Sequence, residues 1–284
     1  MRLAIFVLFS ASLWSQTQVN TPRPGGQSTP LLVYSAQGSA AGCAPLALIS
    51  HGAGGSENGY KYLAQALSSA GYTTAVMGHR ESGLDALSRG MRQSGFRQGL
   101  MQLISNPQAE QARLLDIAAA LRWADLQCKA PFRVLLGHSM GAITVMLEAG
   151  AKNKIGVTYP PAGQDRFDAY VALSPEGPDS VFPRNAWSSI SKPLLAMTGT
   201  RDSGLAGGVE WRTMAWNNLP GTSTGCQWLG VITDATHMNF AGSGNAAALV
   251  DPIVVTTVEK FLQDARRGKC NAPPPMPTLQ LNVK

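Results

Sequence analysis

The chain has 284 residues, 44% of them apolar and only 14% charged, which excludes a disordered chain and suits one α/β domain with an ample core. Its net charge is +6 and its pI about 9.3, but Lys and Arg are scattered rather than gathered into runs. That pattern excludes a nucleic-acid-binding arm and reads as solubility.

Residues 1–15 carry one positive charge, a short apolar stretch and then small residues, the pattern of a secretory signal peptide cleaved near residues 12–16. The stretch is shorter than the roughly 20 residues of a stable membrane span, so a secreted or periplasmic protein is expected. Residues 16–30 are rich in Thr, Pro, Gly and Gln and read as a flexible lead-in. A single catalytic domain is then expected over 31–270, followed by a loose tail at 271–284 that contains Pro273-Pro274-Pro275.

Within that domain, Leu31–Tyr34 is a short strand, and Leu46–Ser50 is a continuous apolar run, as expected of a strand buried on both faces. The run ends in His51-Gly52-Ala53-Gly54-Gly55. A helix over 59–70 and a strand over 72–77 follow. The stretch 78–106 breaks the rhythm, with His79, Arg80, Arg89, Arg92 and Arg97 among glycines, and reads as a solvated surface loop or small cap. Arginines there, with His79 and Arg80 foremost, are candidate contacts for an acidic substrate group. Pro107 opens a helix to about Gln127, with Arg113, Asp116 and Arg122 facing solvent and Leu114, Ile117, Leu121 and Trp123 packed.

The next strand, 132–136, runs into Gly137-His138-Ser139-Met140-Gly141 and then a helix. Strand, G-x-S-x-G, helix is the context of a nucleophile elbow, where the turn is tight enough to demand glycine on both sides of the serine. Later strands at 169–173 and 193–197 end in Ser174-Pro175-Glu176-Gly177 and Thr198-Gly199-Thr200-Arg201-Asp202. A short helix over 207–219, a last strand over 227–232 and a closing helix over 251–267 complete the domain. Strands alternating with helices predict a mostly parallel, doubly wound sheet with helices on both faces and a small cap or loop insertion. In such sheets ligands sit beyond the strands' C-terminal ends, and every candidate active group here follows a strand.

A serine hydroxyl needs a base, itself oriented by a third group. Of four histidines, His138 reads as packed in the elbow, His51 as fixing its turn, and His237, after the last strand, as the base. Asp202 is the expected acid, with Glu176 one strand earlier as the alternative and a possible substrate contact. The N–H groups of Met140 and Ala53 are the expected oxyanion donors. No metal-ligand spacing is present, and no metal or cofactor is expected. Four cysteines in an exported chain suggest two disulfides. Cys43 and Cys128 each precede one of two neighbouring parallel strands, whereas Cys226 opens the last strand and Cys270 follows the helix running back beside it. The expected pairs are therefore Cys43–Cys128 and Cys226–Cys270.

The order Ser139, Asp202, His237 is that of α/β-hydrolases. The chain from about Leu46 to Phe261 resembles the dienelactone hydrolase and platelet-activating-factor acetylhydrolase-like branch of that superfamily, at His51–Gly55, Gly137–Gly141, Gly199–Asp202 and His237. The resemblance implies an α/β-hydrolase fold and cofactor-free ester hydrolysis, and it supports Ala53 and Met140 as oxyanion donors. Ser139 departs from the cysteine of true dienelactone hydrolases, and 78–106 matches no family pattern. The expected function is an exported serine esterase acting on a small-molecule or polymeric ester, without nucleic acid as partner; the sequence assigns no oligomeric state. An amide, thioester or polyester hydrolase, an acyltransferase with the same three residues, and a non-catalytic binding protein are the alternatives.

Overall fold

The computed structural model describes residues 15–38, 42–158 and 165–284; the expected signal peptide lies, save for Ser15, outside them. A nine-stranded sheet runs through the described residues in the order β1-β2-β4-β3-β5-β6-β7-β8-β9. The strands are β1 (Gln16–Pro22), β2 (Ser28–Tyr34), β3 (Leu46–Ser50), β4 (Thr73–Met77) and β5 (Arg133–His138), then β6 (Ala169–Leu173), β7 (Leu194–Arg201), β8 (Gln227–Thr236) and β9 (Leu279–Val283). From β4 to β8 neighbouring strands are parallel, and β1, β2 and β9 run antiparallel at the edges.

Alternate residues of the central strands feed two cores. Leu46, Leu48 and Leu135 face α4 (Pro107–Gln127) and α5 (Met140–Glu148), while Ala47, Ile49, Val134 and Leu136 face α1 (Lys61–Ser69) and α7 (Ala247–Arg266). Because both faces are covered, these strands need continuous apolar runs rather than alternation. Helix α4 starts sharply because Pro107 follows Asn106, whose side chain accepts from the Gln108 and Ala109 N–H groups.

The fold itself differs from the sequence reading in four places. Residues 16–30 are not a flexible lead-in: they form β1 and the start of β2, joined through Gly25 and Gly26 at positive φ. Arg23 in that hairpin is buried and ion-paired with Asp116 and Glu81. The tail is not loose either, since Leu279–Val283 pairs with Trp228–Ile232 and buries Leu279. Residues 78–106 are a short 3-10 turn at Arg80–Ser82 and a hairpin of two helices, α2 (Leu84–Ser94) and α3 (Phe96–Ile104). The two helices touch at Gly90 and Gly99, where a Cβ on Gly99 would lie 2.5 Å from the Gly90 carbonyl carbon. Finally, Arg113 and Asp116 face inward, 0% and 1% exposed, while Arg122 is exposed as expected.

Cys43 is joined to Cys128 and Cys226 to Cys270, with Cα separations of 5.5 and 5.0 Å. The first bond follows from register, since Leu46 of β3 lies opposite Arg133 of β5. Among the described residues, no helix is long and apolar enough to cross a membrane, and no group of three or more His, Cys, Asp or Glu is placed to hold a metal ion.

Candidate active site

Ser139 stands between β5 and α5 with φ 55° and ψ −119°. This strained backbone lifts its side chain out of the strand path. The flanking glycines leave no alternative: a Cβ on Gly137 would meet the Gly141 carbonyl oxygen at 2.2 Å, and one on Gly141 would meet that of Ser50 at 2.0 Å.

His237 follows β8, and its Nε2 lies 3.0 Å from Ser139 Oγ. Its Nδ1 lies 3.1 Å from Asp202 Oδ1, beyond the end of β7. Asp202 is 1% exposed. Burial alone would raise its carboxyl, but the hydrogen bond with His237, the charges of Arg212 and His237, and the hydroxyl of Ser174 together hold it below the ordinary aspartate value. The alternative acid, Glu176, makes no contact with His237; its carboxylate is 3.7 Å from Arg212, and burial pushes it up to about 7. It does not line the cleft, so the substrate-contact role expected of it is not supported by its position.

Three groups of this cluster escaped the sequence reading. Ser174, at the end of β6 with φ 54°, donates to Asp202 Oδ2 at 2.5 Å and lies 2.7 Å from His237 Nδ1. Thr198 donates to the same Asp202 oxygen at 2.9 Å. Arg212, on α6 (Val209–Asn217), is 2% exposed. Its Nε is 2.8 Å from Asp202 Oδ1, and its Nη1 donates to both the Ser174 and the Pro175 carbonyls at 3.1 Å. Thus one guanidinium spans the ends of β6 and β7.

The expected oxyanion turn has a particular hydrogen-bond pattern. The Gly52 N–H donates to Tyr60 Oη, that of Gly54 to the Ser82 carbonyl, and that of Gly55 to the Gly52 carbonyl. The Ala53 N–H donates to no described residue, and neither does that of Met140, the first residue of α5. Two uncommitted donors therefore flank Ser139, one of them at a helix N-terminus whose dipole favours negative charge.

The other histidines hold this framework. His138, in the elbow, donates from Nε2 to the His237 carbonyl at 3.0 Å, and its Nδ1 takes the Tyr60 hydroxyl proton at 2.9 Å. His51 donates from Nδ1 to the Gly52 carbonyl, and its Nε2 accepts the His79 N–H at 3.0 Å. The ring of His79 is not free for substrate, because Nδ1 bonds Asp116 at 2.8 Å and Nε2 bonds Ser50 Oγ at 2.9 Å. Burial holds all three rings well below the ordinary histidine value, and nearby positive groups add to the effect. Beneath the turn, Arg113 donates to the Ser82 and Ser50 hydroxyls and to the His51 carbonyl, at 2.8, 3.1 and 2.8 Å.

A cleft of about 1070 Å³ opens over Ser139 and His237. The glycine-rich turn and residues of β1 form one side, and Leu84, Leu87, Phe96 and Leu100 of the helical hairpin form an apolar wall. Leu87 packs on the glycine-rich turn so closely that a Cβ on Gly54 would lie 2.5 Å from its Cδ2. Arg80 lines the cleft, but its Nε is turned to the Ser28 carbonyl.

Residues 47–271 match the family model described as "Alpha/beta hydrolase family". The fold is similar to that of the esterase Pf2001 of Pyrococcus furiosus, with 18% identity, 88% of this chain and 92% of that one covered, and a TM-score of 0.56. It is also similar to Est1E from Butyrivibrio proteoclasticus, with 16% identity, 87% and 99% of the two chains covered, and a TM-score of 0.58. No curated protein matches the chain in sequence.

Proposed function

The chain belongs to the alpha/beta hydrolase family, and we propose that it is an exported serine carboxylic-ester hydrolase working through an acyl-enzyme. The observation that carries the reading is the 3.0 Å approach of His237 Nε2 to Ser139 Oγ, in a cleft, beside two uncommitted N–H donors. One solved structure of similar fold, Pf2001 of Pyrococcus furiosus, is called an esterase, which is in keeping with it. Export is supported by the two disulfides and by the apolar N-terminal residues.

In this mechanism Ser139 Oγ attacks the acyl carbon while its proton passes to His237 Nε2. Asp202 stays ionised and stabilises the imidazolium that forms. The carbonyl oxygen becomes an oxyanion held by the Ala53 and Met140 N–H groups, an interaction of the kind whose single donors are worth about 10²–10³ in rate. Collapse passes the Nε2 proton to the leaving alkoxide and leaves an ester on Ser139. Water then attacks with His237 as base, and the acid is released. The apolar hairpin wall favours an acyl or alcohol portion without charge, in a small or a polymeric ester. Labelling with a fluorophosphonate tests the nucleophile directly: intact mass should rise by one adduct, mapped to Ser139, and an adduct elsewhere or none would contradict the assignment.

A further inference from the structure

Nδ1 of His237 is closer to Ser174 Oγ, at 2.7 Å, than to Asp202 Oδ1, at 3.1 Å. It also has a competitor, because the Arg212 Nη2 group lies 3.1 Å away. Arginine only donates, so this contact favours the imidazole tautomer with a bare Nδ1 and its hydrogen on Nε2. That tautomer cannot accept the Ser139 proton. Asp202 Oδ1, the more distant acceptor for Nδ1, is shared with Arg212 Nε at 2.8 Å. Ser174 resolves the conflict. Its own hydrogen is committed to Asp202 Oδ2 at 2.5 Å, which leaves an oxygen lone pair to accept from Nδ1–H.

We propose that Ser174 is a positioning residue whose hydroxyl carries the hydrogen bond from His237 to Asp202 and selects the productive tautomer against Arg212. The inference rests on the esterase reading. No proton travels along the relay: Nδ1–H points to Ser174, Ser174 O–H points to Asp202, and both stay in place while Nε2 gains and loses the Ser139 proton. Two further observations agree. Ser174 adopts φ 54°, a strained backbone for a residue other than glycine, held by its N–H on the Met197 carbonyl at 2.7 Å. The groups facing His237 are Ser174 from β6, Asp202 beyond β7, Arg212 from α6, and the His138 ring of the elbow at 4.7 Å between centroids. Of these, Ser174 is placed to accept from Nδ1 while donating to the acid.

The test compares wild type, Ser174→Ala, Ser174→Gly and Ser139→Ala in hydrolysis of p-nitrophenyl esters and in the rate of fluorophosphonate labelling. Alanine removes the hydroxyl and keeps the backbone strain, whereas glycine removes both. The relay predicts that both Ser174 variants lose about 10- to 100-fold in kcat with little change in KM, the worth of a hydrogen bond to a charged network. Nitrogen-15 spectra of the His237 ring should show the hydrogen on Nδ1 in wild type and a larger share of the Nε2–H form in both variants. Full activity in both, or recovery in Ser174→Gly alone, would overturn the relay while Ser139→Ala still reported on the hydrolase reading. Absence of hydrolysis and labelling in wild type would overturn that reading and the relay with it.

Discussion

Glu110 is a carboxylate buried directly under the elbow helix, and its titration should leave a measurable mark on stability. It is 0% exposed, accepts the Thr144 hydroxyl at 2.9 Å on Oε2, and has no partner for Oε1 among the described residues. Burial pushes it from the ordinary glutamate value of 4.5 up to about 7, against the pull of Arg113 and Thr144. In the unfolded chain the same group ionises near 4.5. Between these values the native state holds a proton that the unfolded state has lost, so stability falls as pH rises across the window. Linkage puts the loss between pH 5 and pH 8 at about 2.5 kcal/mol, to order of magnitude. Glu110→Gln removes the titration. The amide brings its own cost in a buried site, but that cost does not depend on pH. Equilibrium urea unfolding of both proteins at pH 5, 6, 7 and 8 isolates the effect: wild type should lose about 2–3 kcal/mol more than the variant over this range. Parallel curves would refute the reasoning, because they would mean that Glu110 ionises at the same pH folded and unfolded.

Other outcomes follow from the geometry. Gly141→Ala puts a Cβ 2.0 Å from the Ser50 carbonyl oxygen, backbone on both sides, so the variant should express poorly or melt well below wild type in calorimetry. Cys43→Ser/Cys128→Ser opens a bond of sequence separation 85 and should destabilise by about 4 kcal/mol in the chain-entropy model, read from urea midpoints. Non-reducing peptide mapping that linked Cys43 to Cys226 or Cys270 would reject the pairing itself. Phe96→Ala trims the exposed apolar wall of the cleft, and should raise KM for long acyl chains more than for acetyl esters. Equal effects at all chain lengths would place the acyl group elsewhere.

What the sequence made legible was local or set by strand order. The elbow depends on a few consecutive residues whose sterics admit only Gly137 and Gly141, and Asp202 and His237 each stand just past a strand end. The cysteine pairing was readable because two neighbouring parallel strands begin side by side. Arg113 and Asp116 were misread because their spacing on α4 suits a solvated face. Their partners, Arg23, Ser50, His79 and Ser82, come from distant parts of the chain that fold beneath the glycine-rich turn. The edge strands β1 and β9 were missed for a different reason: half-exposed strands need few apolar residues, so polar Gln16–Pro22 looked like a linker. Arg212 and Ser174 carried no spacing signal at all. Only the position of Ser174 at a strand's C-terminal end could have drawn attention to it.

The central claim is that Ser139 opens an ester with His237 as its base. Its most direct test is hydrolysis of p-nitrophenyl esters from acetyl to dodecanoyl by wild type and Ser139→Ala. The account predicts turnover by wild type and a loss of about 10³-fold or more in the variant, with both proteins equally folded. Equal rates in the two would contradict it, as would a wild type inert to every ester in the series.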